Sequence, residues 1–289
     1  MTATALALVL AAAVVHATWN VLAKRARPAN SVAFVWLCSA LSALAYVPVV
    51  AALFVIAPPR AFGATGVAFA AGTALIHVVY FILLQRGYRA GDLSLVYPLA
   101  RGTGPLLATL VAVAAFGERP APLAAAGIAA ILAGIFLSAG TSHRERDARV
   151  SAAYGIGAGV AIAAFTLWDK HAVSALALQP ILYDFSRTSL QTIVTLPLAL
   201  ARGGAPAVRA TWRACGREAI GVAILSPLAY LLILYALVRA PVSLVAPARE
   251  ISIVLGTVVG ARIFAEGHLT RRALAALLML AGIAAIARA

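Results

Sequence analysis

Apolar residues dominate this chain in runs of about 20, and short polar breaks between them carry most of the Lys and Arg. At about 1.5 Å per helical residue, one such run crosses a hydrocarbon core of about 30 Å. A membrane β-barrel would instead alternate apolar and polar positions in segments of about 10 residues, and no such alternation is visible. The pattern predicts ten membrane-spanning helices, at 3–22, 32–55, 66–85, 93–115, 121–139, 152–170, 178–200, 218–238, 243–264 and 271–288. Most connections are short. The most polar one, 141–151, lies between the fifth and sixth spans, and a basic stretch from Arg202 to Arg217 separates the seventh and eighth.

The two halves repeat each other at an offset of 149 residues. Trp19 pairs with Trp168, Asn20 with Asp169, Pro48 with Pro197, and Ser94-Leu95-Val96-x-Pro98 with Ser243-Leu244-Val245-x-Pro247. After one residue of slippage, Arg101 aligns with Arg249, Glu118 with Glu266, and Ala133-Gly134-Ile135 with Ala281-Gly282-Ile283. The expected domains are a five-helix repeat over 1–140, a connecting loop at 141–151, and a second five-helix repeat over 152–289. Five is odd, so the second copy must enter the bilayer from the opposite side. The expected fold is an all-α integral membrane protein built from two inverted five-helix repeats around a shared midplane site.

Composition narrows the classes. The chain has 289 residues, 63% hydrophobic and 11% charged, with mean hydropathy +0.98. Soluble domains carry roughly 25% charged residues. The net charge of +14 would suggest nucleic acid in a soluble protein, but here the basic residues mark loops on one side of a membrane. No nucleic-acid partner is expected, because no basic patch is interleaved with aromatics. Lys24, Arg25, Arg27, Arg86, Arg89, Arg144, Arg146, Arg149, Arg202, Arg209, Arg213, Arg217, Arg271 and Arg272 fall in one set of loops, against Arg60, Arg119, Lys170, Arg239 and Arg288 in the other. The bias puts the first set in the cytoplasm and both termini outside it, in a bacterial inner membrane. Cys38 and Cys215 form no ligand cluster and read as free thiols. No Walker loop, His-Glu-x-x-His or Gly-x-Ser-x-Gly occurs, so no cofactor, metal or enzyme activity is expected.

Polar residues inside the spans are costly and therefore informative. His16, Asn20 and Lys24 share one face of the first helix beside Trp19, which fits either a cavity wall or a hydrogen-bonded seam. The fourth span, Tyr97-Pro98-Leu-Ala-Arg101-Gly102-Thr103-Gly104-Pro105, predicts local unwinding beside an arginine, and Pro247-Ala-Arg249-Glu250 repeats the arrangement. Glu250 is expected to offset Arg249 or to pair with Arg101 across the symmetry axis. Asp184 and Arg187, three residues apart, form a structural or gating ion pair. His77, Tyr80 and Tyr230 add further candidates for the cavity wall. Glu118 and Glu266 lie at span ends, where helix capping explains them. Gly155-x-x-x-Gly159 and Gly256-x-x-x-Gly260 permit close helix packing.

His16-Ala-Thr-Trp19-Asn20-x-x-x-Lys24, Tyr97-Pro98-Leu-Ala-Arg101-Gly102 and Phe116-Gly117-Glu118-Arg119 resemble motifs of the drug/metabolite transporter superfamily, in particular its ten-helix EamA-type members. The second copy supplies Arg239-Ala-Pro241-x-Ser243-x-x-x-Pro247 and Phe264-Ala265-Glu266, with Ala265 in place of glycine. The resemblance implies a secondary carrier. Its cavity would lie between the repeats, formed by helices one, three, four, six, eight and nine, with five and ten peripheral. Many such proteins keep both termini in the cytoplasm, contrary to the charge distribution here.

The functional expectation is a secondary active transporter, an exporter of small polar metabolites such as amino acids or organic anions, working by alternating access. Arg101 and Arg249 would supply positive field, with Trp19, Asn20, His77, Tyr80, Tyr97 and Tyr230 shaping the binding site. Glu250, Asp169 and His16 are candidates for proton coupling. Partners are the bilayer and the substrate, and the oligomeric state is not legible. The alternatives are a non-transporting membrane partner or lipid-handling protein, and an integral-membrane enzyme, which would need a nucleophile or metal site that the sequence does not display.

Overall fold

The computed structural model describes residues 1–26, 28–56, 62–90, 93–138, 145–254 and 269–289. Among the described residues the regular structure is entirely helical. The helices are α1 (Ala3–Ala26), α2 (Ser31–Ile56), α3 (Gly63–Ala90), α4 (Leu93–Ala115), α5 (Pro122–Ser138), α6 (Glu145–Lys170), α7 (Pro180–Ala201), α8 (Gly204–Arg239), α9 (Val242–Ala248) and α10 (Leu269–Arg288). A π-helical turn, His171–Ala175, follows α6, and a 3-10 turn, Arg249–Ile251, follows α9. Among the described residues, six helices (α1, α2, α3, α4, α6 and α8) are long and apolar enough on their own to cross a membrane. In α7, Asp184, Arg187 and Gln191 lower the hydropathy of an otherwise apolar helix; all three turn toward polar partners inside the bundle.

The repeats interlock. α1 of the first repeat packs on α8 of the second, and α6 of the second packs on α3 of the first. Likewise α2 lies on α8 as α7 lies on α3, and α4 against α6 mirrors the Arg249–Ile251 turn against α1. Three pairs, α2–α7, α4–α9 and α5–α10, join corresponding helices and so straddle the pseudo-twofold axis. Inversion is visible in one contact. Glu118, just beyond the C-terminal end of α4, accepts hydrogen bonds from Val242 N (2.9 Å) and Ser243 N (2.8 Å) at the start of α9. The end of α4 and the beginning of α9 therefore share a face of the molecule, and the two helices enter from opposite sides. Glu118 is thus a cap, as expected, but it caps a helix of the other repeat.

Small residues set the closest approaches. On α6, a Cβ at Gly155 would lie 3.0 Å from Val96 O, and one at Gly159 2.6 Å from Thr103 Cβ, so the predicted small-residue motif seats α6 on α4. In the α5–α10 pair, Gly127 faces Gly282 and Gly134 faces Ala275. These are the same contact seen twice, since Gly134 and Gly282 are repeat mates, as are Gly127 and Ala275.

Three expectations change. The stretch Arg202–Arg217 is not a loop. Gly203 and Gly204 take positive φ (117° and 58°), turn the chain within two residues, and start α8 directly. α8 then kinks at Cys215 (φ −146°, ψ 34°), which separates a basic first segment from the apolar span. The polar linker is also helical from Glu145 onward. The unwinding expected in the fourth span is absent: α4 runs unbroken through Pro98 and Pro105. Its glycines serve packing instead, Gly102 against Phe136 and Gly104 against Ile162. The second repeat does break, with α9 ending one residue after Pro247 and a 3-10 turn carrying Arg249 and Glu250. The end of the ninth span, Gly256, Gly260, Glu266, Arg60, and the side chain of Lys24 lie outside the described residues.

Two glycine substitutions should have opposite signs in thermal unfolding of the detergent-solubilised protein. Gly127→Ala puts a methyl 2.5 Å from Gly282 O, and such overpacking costs about 1–3 kcal/mol. Gly157→Ala meets nothing closer than 3.5 Å and leaves the midpoint unchanged or raised, since alanine favours the helix by up to about 1 kcal/mol. Equal losses from both would contradict the packing.

Candidate functional site

Arg101 stands eight residues into α4, and Glu250 eight residues beyond the start of α9. Each is therefore about 12 Å in from its own face, and the faces are opposite. The two side chains meet near the middle of a hydrocarbon core of about 30 Å. Arg101 Nη1 donates to Glu250 Oε2 at 3.2 Å and to Oε1 at 3.3 Å, and Arg249 Nε donates to Oε1 at 3.1 Å. Both pairings expected for Glu250 are made at once. Arg101 Nη2 lies 2.6 Å from His16 Nε2. A guanidinium only donates, so His16 accepts on Nε2 and carries its proton on Nδ1.

One carboxylate between two guanidiniums leaves the cluster with one surplus positive charge. Glu250 is fully buried, whereas the Arg101 and Arg249 side chains each keep 12% of their surface accessible. The donor Arg101 Nε has no partner among the described residues, nor does the nearby indole N–H of Trp19. A buried carboxylate relieves much of the cost of the two cations, and the remaining donor capacity suits an anionic group such as a carboxylate.

Aromatic rings wall this cluster. Arg101 lies over Tyr97 (5.4 Å) and Arg249 over Phe165 (5.7 Å). Phe165 is stacked by His77 at 4.2 Å and approached edge-on by Tyr80 at 6.1 Å. His77 is held by Thr73 O (2.8 Å) and meets Tyr230 edge-on. Trp19 sits edge-on to His16 at 4.8 Å and also packs against the apolar cluster that includes Phe34, Leu37 and Val222. Asn20 does not join Arg101 in the described contacts; its amide donates to His16 O within the same helix (2.7 Å).

A second buried network lies toward the face opposite the basic loops. Asp169 accepts from Tyr183 Oη at 2.7 Å and from Tyr230 Oη by a short contact. Tyr230 also carries Arg187 over its ring at 4.6 Å. Arg187 pairs with Asp184 (Nε to Oδ1, 2.7 Å) and donates to Gln191 (2.9 Å). Asp184 accepts from Tyr46 Oη on α2. The expected Asp184–Arg187 pair therefore exists, joined to Asp169 through Tyr230. His77 and Tyr230 bridge this network to the arginine cluster through Phe165. Lys170, next to Asp169, donates to carbonyls at the end of α8, Leu237 O (2.6 Å) and that of Ala240 just after it (3.0 Å), a C-terminal cap.

Phe165, Thr73 and Tyr46 were not anticipated from the sequence, whereas Tyr183 stands out there as a polar residue of the seventh span beside Asp184. Phe165 is four residues before Asp169 on one face of α6. This spacing points to it once Asp169 is recognised as buried.

The model of the EamA-like transporter family matches residues 3–140 and again 150–288, nearly the whole chain. The chain belongs to the EamA-like transporter family, and hence to the drug/metabolite transporters. A solved crystal structure is similar in fold, with a TM-score of 0.76 at 14% identity, covering 99% of each chain; at that identity it shows the fold alone. A search of curated proteins finds no match.

The interactions rank the glutamates. Removing one partner of a buried pair costs about 3–5 kcal/mol, whereas losing a helix cap costs about 1 kcal/mol. Glu250→Ala is therefore expected to lower the thermal midpoint several-fold more than Glu118→Ala. Equal shifts would show that Glu250 does not hold the two arginines together.

Proposed function

We propose that this membrane transporter is a secondary active carrier, an exporter of small polar metabolites bearing a carboxylate or similar anionic group, such as amino acids or organic anions. The observation that supports it is the surplus positive charge near mid-membrane, where Arg101 and Arg249 share Glu250 and both keep accessible surface. A single-charged anion or the carboxylate end of a zwitterion balances it. Tyr80, Tyr97, Phe165, His77 and Trp19 give the rest of the substrate an aromatic wall, with Tyr230 on the far side of His77 and Asn20 on the adjoining turn of α1.

Because α1 packs on α8 and α3 on α6, the bodies that exchange exposure are composite: α1, α2 and α8 on one side, α3, α6 and α7 on the other. The Asp169–Tyr183–Tyr230 and Tyr46–Asp184–Arg187 contacts tie these bodies together toward the face away from the basic loops. We assign Asp184 and Arg187 to that gate. Protons are the proposed coupling ion. A proton on His16 Nε2 removes the acceptor that Arg101 faces, and a proton on Glu250 or Asp169 weakens every bond those carboxylates accept. The localisation that goes with this reading is a bacterial inner membrane, basic loops cytoplasmic and both termini outside. The domain reading that goes with it is one five-helix carrier repeat on each side of the 141–151 connection.

A metabolite screen by thermal shift in detergent identifies the substrate, and Arg101→Ala and Arg249→Ala are then expected to abolish substrate-induced stabilisation. Unchanged binding by both variants refutes their role. In proteoliposomes loaded with that substrate, an imposed pH gradient should change the transport rate; indifference to it removes proton coupling while leaving the carrier reading intact. Tags at both termini should react with impermeant reagents added outside intact cells, and protection of both overturns the orientation.

A further inference from the structure

The basic first segment of α8, before the kink at Cys215, has no place in the substrate site. Between it, the end of α7 and the start of α2 lies a cavity of about 370 Å³. Its walls are apolar apart from one charge: Trp36 and Leu37 from α2, Leu196 and Leu200 from α7, and Val208 and Trp212 from α8, with Arg209 among them. Asn30 ties the surrounding helix ends together. Its Oδ1 caps the start of α2 by accepting from Val32 N (3.1 Å) and Ala33 N (3.0 Å), while its Nδ2 donates to Arg202 O at the end of α7 (2.6 Å). The indole N–H of Trp36 is buried and has no partner among the described residues.

Arg209 and Arg213, four residues apart on this segment, are exposed, as are Arg202 before it and Arg217 just beyond the kink. Thr211 and Cys215, between them, are buried. The segment is thus amphipathic, with cations outward and an apolar side inward, beside a groove one to two helical turns from the end of α7. Such a helix lies in the interfacial layer of a bilayer, its arginines at headgroup level and its apolar face at the level of the first acyl carbons.

We propose that this groove is a binding site for one anionic phospholipid of the leaflet on the basic side: an acyl chain fills the cavity beneath Trp36 and Trp212, and the phosphate lies against Arg209 and Arg213. Charge complementarity selects the lipid. An apolar groove opening into a bilayer accepts any acyl chain, but the arginine row favours a headgroup that keeps a net negative charge over a zwitterionic one. The site touches α2 and α7, which pair across the pseudo-twofold axis.

The test is lipid binding to the purified, delipidated full-length protein in detergent, measured by native mass spectrometry or thermal shift with phosphatidylglycerol and phosphatidylcholine of matched chains. The wild type is expected to bind phosphatidylglycerol about tenfold or more tightly, as two basic contacts at a membrane surface imply. Arg209→Gln with Arg213→Gln should erase that preference. Val208→Trp, which fills the cavity, should reduce binding of both lipids. Arg86→Gln with Arg89→Gln, a pair exposed on the same face at the end of α3, should leave the preference intact. Retention of the preference by the Arg209/Arg213 variant overturns the proposal. So does an equal loss in the Arg86/Arg89 control, which would mean diffuse attraction to a basic face. Unaltered lipid binding by Val208→Trp would show that the groove is not the acyl site.

Discussion

Glu250 is a fully buried carboxylate held between two guanidiniums, one from each repeat. In hydrocarbon either arginine alone would be expensive, and so would the glutamate. Together they are affordable only if the 3-10 turn after α9 aims Glu250 back across the axis toward α4. That requirement explains the local geometry around it. α9 ends just after Pro247, α4 stays helical so that Arg101 projects from a fixed position, and Glu118 pins the start of α9 to the far end of α4. The same pairing sets the site's charge. Two cations and one anion leave a surplus of one, and under the proposed carrier reading the atoms that stabilise the bundle are also those that would attract an anion.

The second network shows how far the repeats have diverged. Asp169, Tyr183, Asp184 and Arg187 occupy positions whose mates in the first repeat are Asn20, Phe34, Val35 and Cys38. Toward one face, therefore, the helices are tied by buried hydrogen bonds and an ion pair. Toward the basic face α1, α2 and α8 meet through the apolar cluster of Phe34, Leu37, Cys38, Cys215, Ala219 and Val222, with the Asn30–Arg202 hydrogen bond beside it. Buried polar contacts are directional and are lost within an ångström or two, whereas apolar contacts can slide. Under the carrier reading, the two faces then open by different physics: one releases a latch, the other repacks.

Much of this architecture was legible in the chain. Apolar runs of bilayer length located the helices to within a few residues for α2, α4, α5 and α7, and the odd number of spans per repeat implied the inversion that the Glu118 cap displays. The cost of intramembrane charge singles out Arg101, Arg249, Glu250, Asp169, Asp184 and Arg187 from the sequence alone. Hydropathy failed where a helix leaves the hydrocarbon. The Arg202–Arg217 stretch is polar enough to look like a loop, yet it is helical from Gly204, as an amphipathic segment suited to a membrane interface can be. Proline failed as a marker of unwinding in α4, which stays helical through Pro98 and Pro105 while Gly102 and Gly104 seat Phe136 of α5 and Ile162 of α6. Phe165 was missed because an aromatic residue in an apolar span carries no signal until the cations and histidine that face it are known.

The central claim is that the arginine cluster borders water rather than sealed packing, and cysteine accessibility tests it most directly. With the buried Cys38 and Cys215 replaced by alanine, Tyr97→Cys places a thiol beside Arg101, and Val111→Cys places one on the outer side of the same helix, where the side chain is 38% exposed but faces lipid. A small, charged, membrane-impermeant thiol reagent should modify Tyr97→Cys in membranes and spare Val111→Cys. Failure to modify Tyr97→Cys from either side of the membrane, in a variant that remains folded, would mean that the two guanidiniums and Glu250 form only a dry internal strut.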